Sequence, residues 1–309
     1  MENVICMELK GIIPAAVLPM TADFTPDLES YAEYITWLLS HDIGGIAVNV
    51  DTGEGFQLRR EEQKQVLRTA VETARGKVPI VAGVTGRFTE EALELAQDAK
   101  DCGADALLVF SPPVFSGMIP PADIAVTYYR ALADTVRIPL VIFQLSSDFA
   151  GVEFSKETLL EMLEIEQIKA IKEASFNIQK FQETLYALKS APRKISFLTG
   201  NDHFVFESFL LGADGGLLGL SSMSPGVHAD LFTAVQKRDY ETALSLRARI
   251  QVLAQTIYAR PFRDYRTRAK EALVLRGVIP HAFVRPPLLP ITDEEKIRIK
   301  KALEQVGIL

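Results

Sequence analysis

Two short segments hold the residues best suited to chemistry. The first is I-K-A-I-K-E-A-S at 168–175, where Lys172 closes a short apolar run. At period 2, Ile168, Ala170 and Lys172 share one face, and Lys169 and Ile171 share the other. Small or apolar neighbours beneath Lys172 point it into an enclosed space, where lost hydration favours the neutral amine. Moving a lysine from ~10.4 to ~7 takes about 5 kcal/mol of differential stabilisation. A neutral lysine attacks a ketone and forms a Schiff base. The ordinary alternative is a strand-end lysine paired with Glu173 or another acid. The second segment is V-D-T-G-E at 50–54. Thr52 and the backbone N–H groups around Gly53 suit a carboxylate, with Glu54 orienting the turn. Its ordinary alternative is a plain Asp-Thr-Gly turn.

Other chemistries find little support. His41, His203, His228 and His281 show no H-x-x-x-H or H-E-x-x-H pairing, so neither a metal nor another cofactor is expected. No G-x-S-x-G elbow occurs. Asp23 and Asp27 read as solvated or capping acids. The R-P-F-R-D-Y-R-T-R stretch at 260–268 reads as a solvated helix face rather than an anion site or interface. Trp37 and the tyrosines read as core or interface residues. The chain has 309 residues, a formal charge of −7, 48% hydrophobic and 24% charged residues. That profile fits a globular protein with a large core and argues against nucleic-acid binding, which needs clustered Lys and Arg. Two cysteines, Cys6 and Cys102, make no disulfide framework, so a reduced cytoplasmic compartment is the expectation. The opening M-E-N-V-I-C-M-E-L-K lacks the apolar core of a signal peptide, and no run is long enough to cross a bilayer.

The elements that must position these residues alternate. Strands are expected at 11–18, 44–49, 79–83, 105–110, 138–143, 168–172, 195–199 and 215–220. They are short, rich in Val, Ile and Leu, and bounded by Gly, Pro and Asp, as strands buried on both faces are. Helical stretches lie between them, among them 60–74, 90–101 with Thr89 as cap, and 157–164 with Ser155 as cap. The pattern predicts a (βα)8 barrel over 1–235, whose active site lies at the C-terminal ends of the strands. A doubly wound open sheet is the alternative, but the first strand is followed by P-M-T-A-D-F-T-P-D and not by a Gly-rich loop. From 236 to 309 the strands stop, and helices at 238–259, 263–277 and 292–306 predict a helical C-terminal domain.

At Lys172 and the D-T-G-E turn the chain resembles the dihydrodipicolinate synthase / N-acetylneuraminate lyase family of class I aldolases and lyases. The resemblance runs through G-I-I-P-A-A-V-L-P-M at 11–20, T-G-E at 52–54, V-P-I-V-A-G-V-T-G at 78–86, G-A-D-A-L-L-V-F-S-P-P at 103–113, A-I-K-E-A-S at 170–175, G-N-D at 200–202 and G-A-D-G-G-L-L-G-L-S-S-M-S-P at 212–225. It implies a (βα)8 barrel with a C-terminal helical domain, assembled as a tetramer or dimer. It implies that Lys172 forms an imine with pyruvate or another 2-oxo acid and that Thr52, assisted by Gly53, holds the substrate carboxylate. Gly200, Asn201 and Leu217 line the pocket by matched position, and Phe143 and Gln144 shape it.

Departures from the family pattern narrow the reaction. Where the family's fifth strand ends in Y-N-x-P, this chain has Phe143 and Gln144, and Phe has no proton to give. The hydroxyl residue before the threonine is Asp51, and the P-P-Y-Y block is P-P-V-F with Val114 and Phe115. The arginine that grips a second carboxylate matches Asp148 or nothing. These changes argue against dihydrodipicolinate synthase itself, but not against Schiff-base chemistry. Asp51 is expected to replace the tyrosine as general acid/base, with Glu173 a second candidate; the alternative is that Asp51 pairs with Lys172. The added acid favours a substrate with one carboxylate and a neutral or hydroxylated remainder. Aldol cleavage to pyruvate leads, and dehydration of a keto-deoxy sugar acid follows. The reading from another class is a non-catalytic 2-oxo-acid-binding or regulatory homologue. Ser111, Ser116, Ser147, Ser221, Ser222 and Met223 are the expected specificity residues.

Overall fold

In the computed structural model, which describes residues 7–309, the apolar runs become eight parallel strands. They are β1 (Gly11–Pro14), β2 (Ile46–Val48), β3 (Ile80–Val84), β4 (Ala106–Val109), β5 (Leu140–Leu145), β6 (Ile168–Ala174), β7 (Ser196–Thr199) and β8 (Gly215–Leu218). Each pairs with its sequence neighbour from β2 to β8, and β8 returns to β1. Ala15 bridges Ala47 in parallel, which joins the two remaining edges and completes the ring. Closure removes the exposed edges that an open sheet would leave. Cys6 and the acidic start of the chain lie outside the described residues.

Each strand is followed by a helix: α1 (Leu28–Leu38), α2 (Arg60–Ala74), α3 (Thr89–Asp101), α4 (Ala122–Val136), α5 (Lys156–Met162), α6 (Ile178–Lys189), α7 (Val205–Leu211) and α8 (Pro225–Gln236). The strands therefore bury both faces. Ile13, Val81, Leu108, Val141, Ala170 and Leu198 fill the barrel, while Val48, Ala82, Leu107, Ile142 and Ile171 pack under the helices. Asp27 and Ser155 cap α1 and α5 through the amides of Ser30 and Thr158. Thr89 does not cap α3 as expected. It is the first helical residue, and the Glu91 carboxylate reaches back to the Arg87 amide instead.

The β6 register also departs from strict alternation. Leu140 pairs with Ile168 but Val141 pairs with Ala170, so the strand bulges at Lys169. Ile168 consequently packs with the helix layer, and only Ala170 of the expected pair lies beneath Lys172 inside the barrel.

Three more helices follow: α9 (Tyr240–Ile257), α10 (Tyr265–Leu275) and α11 (Asp293–Gln305). Arg268, 1% exposed, ties them together. It donates to the Ile257 and Ala259 carbonyls at the end of α9 and to Glu295 of α11. α10 is joined to the barrel by a fully buried pair, Lys270 with Glu54, whose second carboxylate oxygen accepts from the Arg285 amide at 3.0 Å. Among the described residues, no helix is long and apolar enough to cross a membrane.

Candidate active site

A cavity of about 540 Å³ opens at the C-terminal ends of the barrel strands. Lys172 reaches it from β6. Its strand partner across the ladder is Phe143, and its ammonium stands 4.4 Å from the centre of the Phe143 ring. Gly200, at the end of β7, leaves the room: a Cβ there would lie 2.9 Å from the Lys172 Cε. Enclosure pushes the Lys172 amine down to about 8, against the pull of Asp202 and Asp51, which favour the charged form. Roughly a tenth of the lysine is then the neutral nucleophile at pH 7.

Two carboxylates flank the lysine, each joined to a tyrosine from the C-terminal helices. Asp202, 3% exposed, accepts from the Tyr258 hydroxyl at 2.8 Å and from the Gly219 amide at 3.2 Å. Burial pushes its carboxyl up to about 6, although those hydrogen bonds and Lys172 oppose the rise. Behind it lies His228, fully buried, its Nε2 3.8 Å from Asp202 Oδ1 and unpaired. His228 Nδ1 lies 2.9 Å from the Ser224 carbonyl, which can only accept, so Nδ1 carries the proton. Burial pushes His228 down to about 4, so at neutral pH its bare Nε2 lone pair faces Oδ1. A proton on that oxygen relieves the repulsion, which agrees with the raised Asp202.

Asp51 opens the 3₁₀ turn Asp51–Gly53 after β2. Its Oδ2 accepts from the Tyr265 hydroxyl at 2.5 Å, its Oδ1 from Arg266, and its backbone carbonyl from Arg266 Nε at 2.8 Å. The partner of Asp51 is therefore Arg266, not Lys172. Both tyrosines are pushed well above their ordinary range by burial and the neighbouring carboxylates, so they keep their protons. The absent strand-5 phenol thus has two phenols nearby, hung from α9 and α10. Thr52 also lines the cavity. Gly53 does not: its amide donates to Val50 within the turn, and a Cβ there would meet the Ala16 carbonyl oxygen at 2.6 Å.

Several other expected site residues lie elsewhere. Gln144 and Glu173 follow Phe143 and Lys172 directly, so each points to the opposite face. Gln144 bridges Thr184 and the Phe154 amide. Glu173 accepts from the Ser175 amide and from Asn201 Nδ2, and burial raises its pKa among the helices, away from the cavity. Leu217 is inside the barrel core, below the cavity. Ser111 and Ser116 line the cavity, whereas Ser221 and Ser222 donate to the Leu218 and Gly219 carbonyls beneath it. Met223 is buried in the core between the barrel and the helices, and Ser147 opens the Ser147–Phe149 turn beyond β5.

Four further residues line the cavity: Asp202, Tyr258, Tyr265 and Arg266. Asp202 lies in the G-N-D block, and Tyr265 and Arg266 lie in the Arg-rich stretch at 260–268, which reads as a solvated face but caps the site; Tyr258 stands just before that stretch. Among the described residues, no group of His, Cys, Asp and Glu is placed to hold a metal ion.

Residues 8–306 match the dihydrodipicolinate synthetase family. A 4-hydroxy-tetrahydrodipicolinate synthase of Bartonella bacilliformis is 30% identical over 302 residues, covering 97% of this chain and 99% of the relative. The structure of a chloride-inhibited dihydrodipicolinate synthase from Acinetobacter baumannii in complex with pyruvate is similar at TM-score 0.87 and 28% identity, over 98% of this chain and 100% of that one. A prophage protein of the dihydrodipicolinic acid synthase family from E. coli K12, also in complex with pyruvate, gives TM-score 0.89 at 26% identity, over 97% of this chain and 99% of that one.

Proposed function

Because this chain belongs to the dihydrodipicolinate synthetase family, whose members are Schiff-base-forming lyases, we propose that it cleaves a 4-hydroxy-2-oxo acid through an imine at Lys172. The observation that carries this reading is the lysine on the cavity floor, its amine pushed down to about 8 by burial, flanked by two tyrosine-bound carboxylates.

The neutral Lys172 amine adds to the C2 ketone and water leaves, giving the imine. Thr52 holds the substrate carboxylate. Asp202 in its ionised form removes the C4 hydroxyl proton. The C3–C4 bond breaks, its electron pair moves to the imine nitrogen as an enamine, and an aldehyde departs. Asp202 returns the proton to C3, and water hydrolyses the imine to release pyruvate and free Lys172. We place proton transfer on Asp202 because its raised pKa lets it take and give a proton near neutrality. Asp51, paired with Arg266, orients the Tyr265 hydroxyl and keeps it beside the reacting carbons. Dehydration, with loss of a hydroxyl at C4 or beyond, uses the same imine and is the second reaction of this site.

We further propose that the reaction is not 4-hydroxy-tetrahydrodipicolinate synthesis. Phe143, Val114 and Phe115 stand where the family has tyrosines, and Arg266, the cavity's guanidinium, is already bound to Asp51. Residues 1–235 are proposed as the catalytic barrel and 236–309 as the helical domain that caps it. A cytoplasmic homo-oligomer, tetramer or dimer, with no nucleic-acid or membrane partner, completes the proposal.

Borohydride trapping with pyruvate tests it. A reduced adduct on Lys172, absent in Lys172→Met, is the expected result. No adduct with any 2-oxo acid between pH 6 and 9 overturns the enzyme reading in favour of a non-catalytic binding homologue.

A further inference from the structure

Beyond the lysine the cavity changes character. Phe143, Phe110 and Phe56 form one arc, with ring centres 4.8 and 4.7 Å apart and edges turned to faces. Phe176, Phe149 and Phe262 form a second arc, at 5.1 and 4.8 Å, which continues to Tyr258 and Tyr265. The two arcs border one cavity whose floor holds Lys172.

Four features separate this wall from ordinary core. Phe56 and Phe149 both line the cavity and are 43% and 41% exposed, unlike core phenylalanines. Phe176 holds a left-handed backbone, φ 55, fixed by its amide donating to Asn201 at 2.8 Å. A non-glycine residue in that region is strained, and here the strained residue presents a ring to the cavity. The charged side chains lining the cavity are Lys172, Asp51, Asp202 and Arg266, and Arg266 is occupied by Asp51. Among the described residues lining the cavity, no cation is free for a second carboxylate. The volume also falls in the range that encloses a ligand far larger than a three-carbon acid.

We propose that the site takes a 2-oxo acid whose carbon chain ends in an uncharged aromatic ring, the ring lying between the two phenylalanine arcs. This rests on the Lys172 imine reading. In the cleavage reaction it makes the departing aldehyde aromatic. Offset and edge-to-face packing on rings at these spacings favours an aromatic over an aliphatic chain of equal length. A carboxylate at the same place would lose its hydration without a partner.

The test is borohydride trapping of Lys172 with four probes: pyruvate, 2-oxo-4-phenylbutanoate, 2-oxopentanoate and 2-oxoglutarate. Trapping reads imine formation whichever bond is later broken. The phenyl acid is expected to half-saturate at a concentration about thirty-fold below 2-oxopentanoate, with 2-oxoglutarate the weakest. Phe149→Ala, at an exposed position that tolerates truncation, should narrow the phenyl advantage about ten-fold. Equal half-saturation, or preference for 2-oxoglutarate, alongside an intact pyruvate adduct overturns this inference alone. Absence of every adduct, pyruvate included, overturns the imine reading and this inference with it.

Discussion

Lys172 and Phe143 face each other across the β5–β6 ladder, with the ammonium 4.4 Å from the ring centre. The ring both removes water from the amine, which disfavours its charge, and offers its negative face, which favours it. Desolvation is the larger effect, because the amine is pushed down to about 8. The trapping rate with pyruvate should therefore rise with pH to a midpoint near 8. In Phe143→Leu the apolar wall remains but the π-face is lost. The midpoint should fall by about half a unit, the size of a cation–π contribution of ~0.5–1 kcal/mol. A rate profile flat from pH 6 to 9 would refute the lysine assignment.

Asp202 separates binding from turnover. For the free enzyme, kcat/KM requires ionised Asp202 and neutral Lys172, with values of about 6 and about 8. A logarithmic plot should climb with slope 2 below pH 6, slope 1 between 6 and 8, and level off above. Asp202→Asn should keep the pyruvate adduct, lose ~10²–10⁴ in kcat and remove the steeper limb. Asp51→Asn should also keep the adduct and lose less, since Tyr265 remains. If Asp51→Asn is the more damaging and Asp202→Asn retains wild-type turnover, the two roles are exchanged.

The lysine that serves the reaction costs stability. Its folded pKa lies below its unfolded value, so the penalty is absent above about 10.5, grows as pH falls and is complete below about 8. Below pH 8 the protein must hold an ammonium in a poorly hydrated place. Lys172→Met removes that burden and should raise stability at pH 7 by roughly 1–2 kcal/mol, after discounting for water in the open cavity. A thermal scan should show Tm a few degrees higher at pH 7, the gap narrowing toward pH 10. A lower Tm at pH 7 would show that the lysine stem's packing outweighs its charge.

The barrel was legible because buried parallel strands leave a plain signature: short Val, Ile and Leu runs with punctuation between them. Lys172 was legible because it closes such a run. The sides of β6 were only partly so, since the bulge at Lys169 moves Ile168 off the face that period 2 assigns it. Gln144 and Glu173 could have been placed by alternation alone, as each adjoins an inward residue. The match of Gln144 to the Y-N-x-P block carries no information about which face the side chain occupies. Tyr258, Tyr265 and Arg266 were hidden for another reason. They come from helices that follow the barrel, and Tyr265 meets Asp51 across 214 positions of sequence. Local pattern says nothing about such contacts, and a stretch with four arginines resembles a solvated surface.

The link that holds those helices over the site gives the last prediction. Glu54 ends the Asp51–Gly53 turn in a left-handed conformation, φ 57, and its carboxylate meets Lys270 with both side chains fully buried. Lys270 also donates to the Phe283 carbonyl at 2.7 Å, and Glu54 accepts from Arg285. Burial pushes Lys270 down, and the Glu54 carboxylate opposes that shift. Glu54→Gln leaves a buried ammonium without its counter-charge and should cost about 3–5 kcal/mol in urea unfolding. The double variant Glu54→Gln with Lys270→Met removes both charges and should recover at least half of that loss, because an isolated charge is costlier than none. The same pair fixes the turn carrying Thr52 and Asp51 against the helix carrying Tyr265 and Arg266. KM for the 2-oxo acid should therefore rise in Glu54→Gln even at temperatures where the protein stays folded. A double variant as unstable as the single one would locate the cost in lost hydrogen bonds to Phe283 and Arg285 rather than in the unpaired charge.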